Sequence, residues 1–114
     1  MQDCIFCKIV EGEIPSNKVF ESANLIAFED ISPVAPTHVL IVPKKHIATL
    51  NDVDDADANL LGEMILCAKR IAKDENLSEE GYRTVFNCMS GAGQAVMHIH
   101  LHLLGGRVFQ WPPG

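Results

Sequence analysis

The sequence lacks any long run of hydrophobic residues, and its charged residues give no excess of positive charge. No apolar stretch approaches the about 20 residues that a helix needs to cross a bilayer, so we expect no membrane span. The net charge of −6 at pH 7 argues against a general nucleic-acid surface, because such a surface needs a basic stripe to neutralise phosphates. A small anionic ligand is compatible with this charge, since amides and imidazoles can make a pocket locally positive.

The chain also lacks internal repeats, linkers and low-complexity segments. Its 114 residues, 47% of them hydrophobic, predict a single packed domain over residues 1–114. A domain of this size would gain useful burial by pairing with a second copy. The first residues, Met1, Gln2, Asp3 and Cys4, form no basic and apolar leader, so we expect a cytoplasmic protein.

Four cysteines are present, but the chain shows no other feature of a secreted scaffold held by disulfides. Cys67 lies in a helical pattern and Cys88 follows a predicted strand, so both are expected to be buried small apolar residues. Cys4 and Cys7 form a pair whose spacing is compatible with zinc or with dithiol redox chemistry. Reduced, metal-free thiols are the alternative.

The hydrophobic pattern predicts an α+β fold. Leu60, Met64 and Ile71 recur at helical spacing within one long helix over about 54–76, and a short helix is predicted over 4–11. Strands are predicted over 19–21, 25–29, 37–43, 83–87 and 98–104. Their hairpin-like spacing favours an antiparallel sheet of about five strands that carries the helices.

Three histidines, His98, His100 and His102, alternate with apolar residues just before a pair of glycines. The two-residue period of a strand puts all three rings on one face. A neutral imidazole is a good nucleophile and a protonated one donates to phosphate oxygens, so the pattern suits phosphoryl chemistry. Two alternatives are histidines with ordinary structural roles and a metal site built from two rings of the ridge, such as His100 with His102.

The segment 98–104 resembles the motif of the histidine triad (HIT) family, in which histidine alternates with apolar residues. Two further stretches, 30–38 and 111–114, resemble the Hint branch of that family, the purine nucleotide phosphoramidases. The resemblance extends from about Cys4 to Gly114, in the same order and with similar spacing. It implies a HIT-like fold, a homodimer with an extended sheet, and a hydrolase that cleaves the P–N bond of purine nucleoside phosphoramidates through a nucleotidyl-histidine intermediate.

The resemblance also implies roles for individual residues. His100 is the expected nucleophile, and His102 and His38 are expected in the phosphate site; from its own surroundings His38 would be taken for a core histidine. Gly93 is expected to supply a backbone amide, and Gln94 a side-chain amide, to the phosphate. The other expected nucleotide-binding residues are Asp30 at the ribose, Asn87 near the leaving group, Phe6, Ile9, Phe28 and Ile31 around the purine, and Trp111 near the partner subunit's active site.

A structural zinc site is predicted from the pair of cysteines together with two histidines. Two thiolates and two imidazoles make a closed tetrahedral site. The resemblance to superfamily members that have this cysteine pair implies that the ligands are Cys4, Cys7, His46 and His98. Catalysis by this mechanism requires no cofactor. The stability of the folded protein is then expected to fall on chelation.

Two positions depart from the pattern of the resembled branch. Ala95 follows the glutamine, where serine or another polar residue is common, and Ala92 stands where glycine is common. We expect weaker turnover, because one missing hydrogen bond typically costs on the order of 1 kcal/mol.

Three other functions fit the same residues. A dinucleoside polyphosphate hydrolase of the same superfamily is disfavoured by the Hint-like ending Trp111-Pro112-Pro113-Gly114. A nucleotide-binding regulatory protein with vestigial turnover would use the same binding residues. A module that depends mainly on zinc for its structure would use the cysteines and their two histidines.

Overall fold

The computed structural model describes residues 3–114, and the expectations for Met1 and Gln2 lie outside these residues. In chain order the elements are α1 (Ile5–Val10), β1 (Lys18–Glu21), β2 (Leu25–Glu29), β3 (Thr37–Pro43), α2 (Ala58–Asp74), β4 (Tyr82–Phe86) and β5 (Leu101–Gly105). The five strands form one antiparallel sheet in the order β1-β2-β3-β5-β4. Neither helix within residues 3–114 is long and apolar enough to cross a membrane.

The sheet buries both of its faces because apolar residues occupy alternate positions on each side of the central strands. One face packs on α2 through Leu25, Ala27, Val39, Ile41, Leu101 and Leu103, which contact Met64, Cys67, Ala68 and Ile71. The opposite face carries Ile26, Phe28, Leu40 and Val42, which pack on Phe6 and the two cysteines of α1 and its cap. The predicted α+β fold with one long and one short helix is therefore confirmed.

The short helix begins at a side-chain cap, whereas the long helix follows a 3-10 turn that is itself capped. Cys4 precedes α1, and its sulfur accepts the N–H of Cys7 at 3.3 Å. The long helix begins four residues later than predicted, because Asp55–Asp57 forms a 3-10 turn before Ala58. Asp54 starts that turn and accepts the N–H of Ala56 at 2.9 Å. Short polar side chains compete for backbone N–H groups in this way and delay the regular helix.

Strand β5 begins at Leu101, three residues later than predicted. Leu101 pairs with Ile41, and the same register would place Ile99 opposite Pro43, which has no N–H to donate to a ladder. Beyond that point Ile99 donates instead to the carbonyl of Ile47 at 2.7 Å. His98 and His100 consequently lie just before the strand.

A pair of glycines ends β5 where two other segments approach closely. A Cβ on Gly105 would lie 2.5 Å from Cδ1 of Leu77, which follows α2. A Cβ on Gly106 would lie 2.8 Å from Cβ of Pro36, and its φ of +90° also favours glycine. The pair therefore lets β5 pass between the end of α2 and the loop before β3.

The two cysteines outside the CxxC pair differ in exposure. Cys67 is buried on α2, and burial raises the pKa of its thiol to about 11. It is therefore the apolar core residue that the sequence predicts. Cys88, just past β4, is half-buried, so the prediction of full burial was wrong for this residue.

Candidate active site

The ring of His100 is buried next to the start of β5, with one nitrogen fixed by the backbone. Its Nδ1–H donates to the carbonyl of His98 at 2.7 Å, which leaves the lone pair on Nε2. Burial lowers the pKa of His100, although the hydrogen bond to His98 and the negative charge of Asp30 act in the opposite direction. The ring is therefore neutral near pH 7, in the tautomer that a nitrogen nucleophile needs.

Asp30, His38 and His102 form a second group, here called the relay cluster. The N–H of Val34 donates to Nδ1 of His38 at 3.2 Å, so the proton of that ring lies on Nε2. Nε2 of His38 donates to Nδ1 of His102 at 2.9 Å and lies 3.5 Å from Oδ2 of Asp30. His102 therefore keeps its own proton on Nε2, which no hydrogen bond within residues 3–114 uses.

The relay cluster holds neutral rings at pH 7. Burial, together with charge repulsion from nearby His100 and His38, lowers the pKa of His102 to about 4, although the charge of Asp30 acts to raise it. Burial also lowers the pKa of His38, while the charge of Asp30 acts to raise it. One proton on each ring is the arrangement that the chain of hydrogen bonds requires.

An apolar cleft of about 490 Å³ opens beside these histidines, a volume within the range of small-molecule sites. Phe6 and Phe28 meet edge to face in it, with ring centroids 5.4 Å apart. The cleft includes every residue predicted around the purine and the ribose, namely Phe6, Ile9, Phe28, Ile31 and Asp30. Asp30 belongs to both the cleft and the relay cluster, so the cleft leads to the histidines.

Sequence reasoning missed several residues that complete this cleft: Ile5, Pro15, Ser16, Asn17, Glu29, Leu40 and Val96. Segment 15–17 shows no motif, and only the fold places it there. The carbonyl of Asn17 accepts the N–H of Glu29 at 3.0 Å, which holds the segment against the end of β2. Apolar spacing could have identified Leu40, which precedes Ile41 on a buried strand.

Phe6 connects α1 with the histidines. Its ring meets that of His100 edge to face at 5.1 Å and that of His98 at 6.0 Å. The centroids of His100 and His102 are 4.9 Å apart. These contacts place the rings on the α1 side of the sheet even though two of them precede β5.

The loop 89–96 uses the predicted phosphate donors internally. The N–H of Gly93 donates to the carbonyl of Ser90 at 3.0 Å, and the φ of +93° at Gly93 favours glycine. The side-chain amide of Gln94 is buried and donates to Ala48 and Val96. The structure thus places both predicted donors in hydrogen bonds within the protein. Ala92 lies in the same turn with a negative φ, so the turn does not require glycine there.

Two other predicted nucleotide-binding residues do not line the cleft. Asn87 is half-buried just after β4. Trp111 is 83% exposed in a C-terminal segment that Arg83 holds by donating to the carbonyl of Gln110 at 2.9 Å.

The four predicted zinc ligands, Cys4, Cys7, His46 and His98, come together in what we call the thiol–imidazole centre. Nδ1 of His98 lies 3.2 Å from the sulfur of Cys4 and 3.1 Å from Nδ1 of His46. The sulfur of Cys7 lies 3.4 Å from Nδ1 of His46 and 3.5 Å from Nδ1 of His98. Tetrahedral zinc separates two nitrogens by roughly 3.3 Å and a sulfur from a nitrogen by roughly 3.6 Å. The donor atoms therefore fit zinc.

The backbone also sets the tautomer of His98. Its Nε2 donates to the carbonyl of Pro43 at 2.8 Å, so the lone pair of Nδ1 faces the two sulfurs. Burial lowers the pKa of His98 to about 4, which keeps that lone pair free at neutral pH. A hydrogen bond from the far nitrogen to a carbonyl is the usual support of a metal-binding histidine.

In the relay cluster, a carboxylate oxygen and two imidazole nitrogens also lie within 4.8 Å of one another, close enough to share a metal ion. The hydrogen bonds argue against that use. Because Val34 occupies Nδ1 of His38, the nitrogen that faces Asp30 and His102 carries a proton and donates. A protonated nitrogen cannot be a ligand.

Comparison of the sequence with known proteins identifies a family and several relatives. Residues 11–109 match the HIT domain. A protein of Escherichia coli K12 named purine nucleoside phosphoramidase is 49% identical over 106 residues, which cover 93% of this chain and 89% of that protein. An uncharacterized HIT-like protein of Synechococcus elongatus is 48% identical over 113 residues, 99% of this chain and 98% of that protein.

Solved structures share the whole architecture. The crystal structure of a HIT family hydrolase from Legionella pneumophila Philadelphia 1 matches with a TM-score of 0.97 and 62% identity, over 98% of this chain and 100% of that chain. A histidine triad protein from Clostridium difficile matches with a TM-score of 0.93 and 44% identity, over 96% of both chains. These matches confirm the predicted HIT-like fold.

Proposed function

Because the chain belongs to the HIT domain family, we propose that it is a hydrolase that cleaves the P–N bond of purine nucleoside phosphoramidates such as adenosine monophosphoramidate. The observation that carries the proposal is the tautomer of His100, whose Nδ1–H donates to the carbonyl of His98 at 2.7 Å. That hydrogen bond leaves a lone pair on Nε2, next to an apolar cleft of nucleobase size. The relative named purine nucleoside phosphoramidase supports this choice of substrate.

The reaction has two displacements at the α-phosphorus. In the first, a bond forms from Nε2 of His100 to phosphorus as the P–N bond breaks, and the amine leaves with the electron pair and takes up a proton. In the second, water attacks phosphorus and the bond to Nε2 breaks, which releases the nucleoside monophosphate and a proton. The covalent intermediate divides one difficult step into two easier ones.

His102 assists at the phosphate. Its Nε2–H has no partner within residues 3–114, so it can donate to a phosphate oxygen or to the leaving nitrogen. This hydrogen bond stabilises the charge that develops on the phosphate or on the leaving nitrogen, and the amine takes up its proton from solvent. His38 orients His102 through their 2.9 Å hydrogen bond.

The nucleoside lies in the apolar cleft, against Phe6 and Phe28. Asp30, at the inner end of the cleft, accepts hydrogen bonds from the ribose hydroxyls. Its Oδ1 already accepts the N–H of Ser32 at 2.7 Å, which fixes the carboxylate for this role. The apolar walls favour a purine over a smaller base because they offer more contact area.

The thiol–imidazole centre holds a structural zinc ion in this proposal. The ion ties α1, through Cys4 and Cys7, to His98, whose carbonyl orients the nucleophile. Four protein ligands leave no open position for a substrate, so the metal takes no part in catalysis.

The same proposal includes a cytoplasmic homodimer. Strand β4 lies at an edge of the sheet, where a second copy can extend it. On α2, Ile65 and Leu66 are 56% and 62% exposed, which adds apolar area for a partner. None of the four cysteines within residues 3–114 forms a disulfide, which favours a reducing compartment.

The experiment compares the wild-type protein with His100→Ala on adenosine monophosphoramidate and, in parallel, on a diadenosine polyphosphate. We expect amide cleavage by the wild type, loss of that cleavage in the variant, and a nucleotidyl adduct on His100 in rapid-quench mass spectrometry. Adduct formation only elsewhere, or full activity in the variant, would contradict the mechanism. Cleavage of the dinucleotide alone would favour a dinucleoside polyphosphate hydrolase, and tight binding of AMP without turnover a regulatory protein.

A further inference from the structure

We propose that Gln94 is a positioning residue, which holds the loop 89–96 in the shape that binds phosphate and does not itself touch the ligand. The inference rests on the proposed function, because it assigns phosphate binding to this loop. It differs from the expectation that the side-chain amide of Gln94 contacts the phosphate.

The side chain of Gln94 has no hydrogen left for a ligand. A primary amide carries two N–H donors and one acceptor oxygen. Nε2 donates to the carbonyl of Ala48 at 2.7 Å and to the carbonyl of Val96 at 3.0 Å. Oε1 accepts the N–H of Met89 at 2.8 Å. The residue is only 6% exposed, so its amide links three backbone segments inside the protein.

One of these hydrogen bonds fixes a strained residue. Met89 has a φ of 71°, a conformation that side chains other than glycine rarely adopt. Such residues persist where their surroundings hold them in place, and they occur often at ligand-binding sites. The N–H of Met89 donates to Gln94 at this point, so the glutamine helps to hold the backbone in its strained conformation.

Gln94 affects a bound ligand through the backbone of Ala95. Ala95 lies between Gln94 and Val96 in the chain. The side-chain amide of Gln94 donates to the carbonyl of Val96, so both neighbours of Ala95 are held in place. The N–H groups of Gly93 and Gln94 are used within the turn, whereas that of Ala95 makes no hydrogen bond within residues 3–114. Val96, the next residue in the chain, lines the apolar cleft, so this loop borders the site. Since Ala95 has no hydroxyl, this residue can bind phosphate only through its backbone N–H, and the shape of the loop decides where that N–H points.

A titration of the wild-type protein with AMP, followed by NMR, tests the proposal without any variant. We expect the backbone amide of Ala95 to shift strongly and the side-chain NH₂ of Gln94 to keep its position and its slow exchange. A large shift of the Gln94 NH₂ signals with an unmoved Ala95 amide would overturn the proposal.

The variant Gln94→Met keeps the volume of the side chain and removes all three hydrogen bonds. We expect amide exchange in the loop 89–96 of the ligand-free protein to become at least about tenfold faster, and AMP to bind about tenfold more weakly, with adenosine binding unchanged. Gln110→Met, which makes the same change at an exposed position, should match the wild type. Unchanged exchange in the ligand-free Gln94→Met protein, together with weaker AMP binding, would mean that the side chain acts on the ligand directly.

The test separates this inference from the proposed hydrolysis. If the wild type does not cleave adenosine monophosphoramidate while AMP still shifts the Ala95 amide, the hydrolytic function is contradicted and the positioning role of Gln94 is supported. If cleavage proceeds and the Ala95 amide does not respond to AMP, the hydrolysis stands and the positioning role is overturned.

Discussion

His98 and His102 lie on either side of His100, yet their surroundings use the imidazole ring in opposite ways. At the thiol–imidazole centre, the carbonyl of Pro43 accepts the Nε2–H of His98, so a lone pair faces the cysteines. At the relay cluster, the N–H of Val34 donates to His38, so a proton faces His102. The backbone group behind each ring decides whether its front nitrogen binds a metal or donates a hydrogen bond.

Residue types and distances therefore do not show which of the two clusters binds a metal. In both clusters the possible ligand atoms lie within 4.8 Å of one another, and both clusters are built from histidines with acidic or thiol partners. The proposed nucleophile, His100, depends on both of them. His98 fixes the tautomer of His100 through its carbonyl, and the ring of His102 lies 4.9 Å away across the face that would meet the phosphate.

The variant His102→Ala tests the relay cluster and has the largest expected effect. Loss of this imidazole removes the proposed hydrogen-bond donor at the phosphate and leaving group. Removal of one such donor to developing charge typically costs about 10²- to 10³-fold in rate. We expect kcat for adenosine monophosphoramidate to fall by about that factor, with zinc content by elemental analysis unchanged.

His38→Leu provides the matched comparison, because His38 acts through His102. It should cost less than His102→Ala, and His38→Gln, whose amide can also accept and donate, should cost less still. Loss of zinc from either His38 variant would show that the relay cluster holds a metal and would contradict the contrast.

Chelation tests the thiol–imidazole centre and has the second largest expected effect. A ligand present at about 1,000 times its dissociation constant stabilises the folded state by about 4 kcal/mol. Removal of zinc should therefore lower the Tm by on the order of 10 °C in calorimetry. Asp30→Asn, a change in the relay cluster, should respond to the chelator as the wild type does. A protein that purifies without stoichiometric metal and melts at the same temperature with chelator would contradict the zinc proposal.

The sequence was sufficient for the features that depend on side-chain type and local pattern. The bounds of β2 and β3 were predicted correctly, because apolar runs between turn residues define them. The four predicted zinc ligands lie close together in the fold. They could be grouped from the sequence because thiols and imidazoles in this number suggest one tetrahedral site, and the family resemblance implies the same set.

What the sequence could not show depends on backbone groups from distant segments. The late start of β5 follows from Pro43 on the neighbouring strand, and the tautomer of His38 follows from the N–H of Val34. The hydrogen bonds of Gln94 require the carbonyl of Ala48, which is 46 residues away in the chain. No side-chain pattern records where such backbone groups point, so hydrogen-bond direction had to come from the fold.

The dependence of stability on pH gives the smallest expected effect and sharpens the comparison further. In the unfolded chain His102 binds a proton near its ordinary pKa of 6.5, whereas in the folded protein burial lowers that pKa to about 4. Between these values the unfolded state holds more protons at this position, so the free energy of unfolding rises with pH. The contribution is fully present above pH 6.5 and is lost as the pH falls toward 4.

The measurement is the difference in the free energy of unfolding between the wild type and His102→Gln, obtained from urea titrations between pH 7 and 4.5. We expect the difference to shrink by on the order of 1 kcal/mol as the pH falls, since His102 is only half-buried and solvent screens part of the effect. Both proteins carry the same thiol–imidazole centre, so acid-induced loss of its metal cancels in the difference. A difference that stays constant or grows toward low pH would mean that the folded protein accepts a proton on His102 as readily as the unfolded chain does. The neutral hydrogen-bond chain from Val34 through His38 to His102 would then be wrong, and with it the distinction between the two clusters.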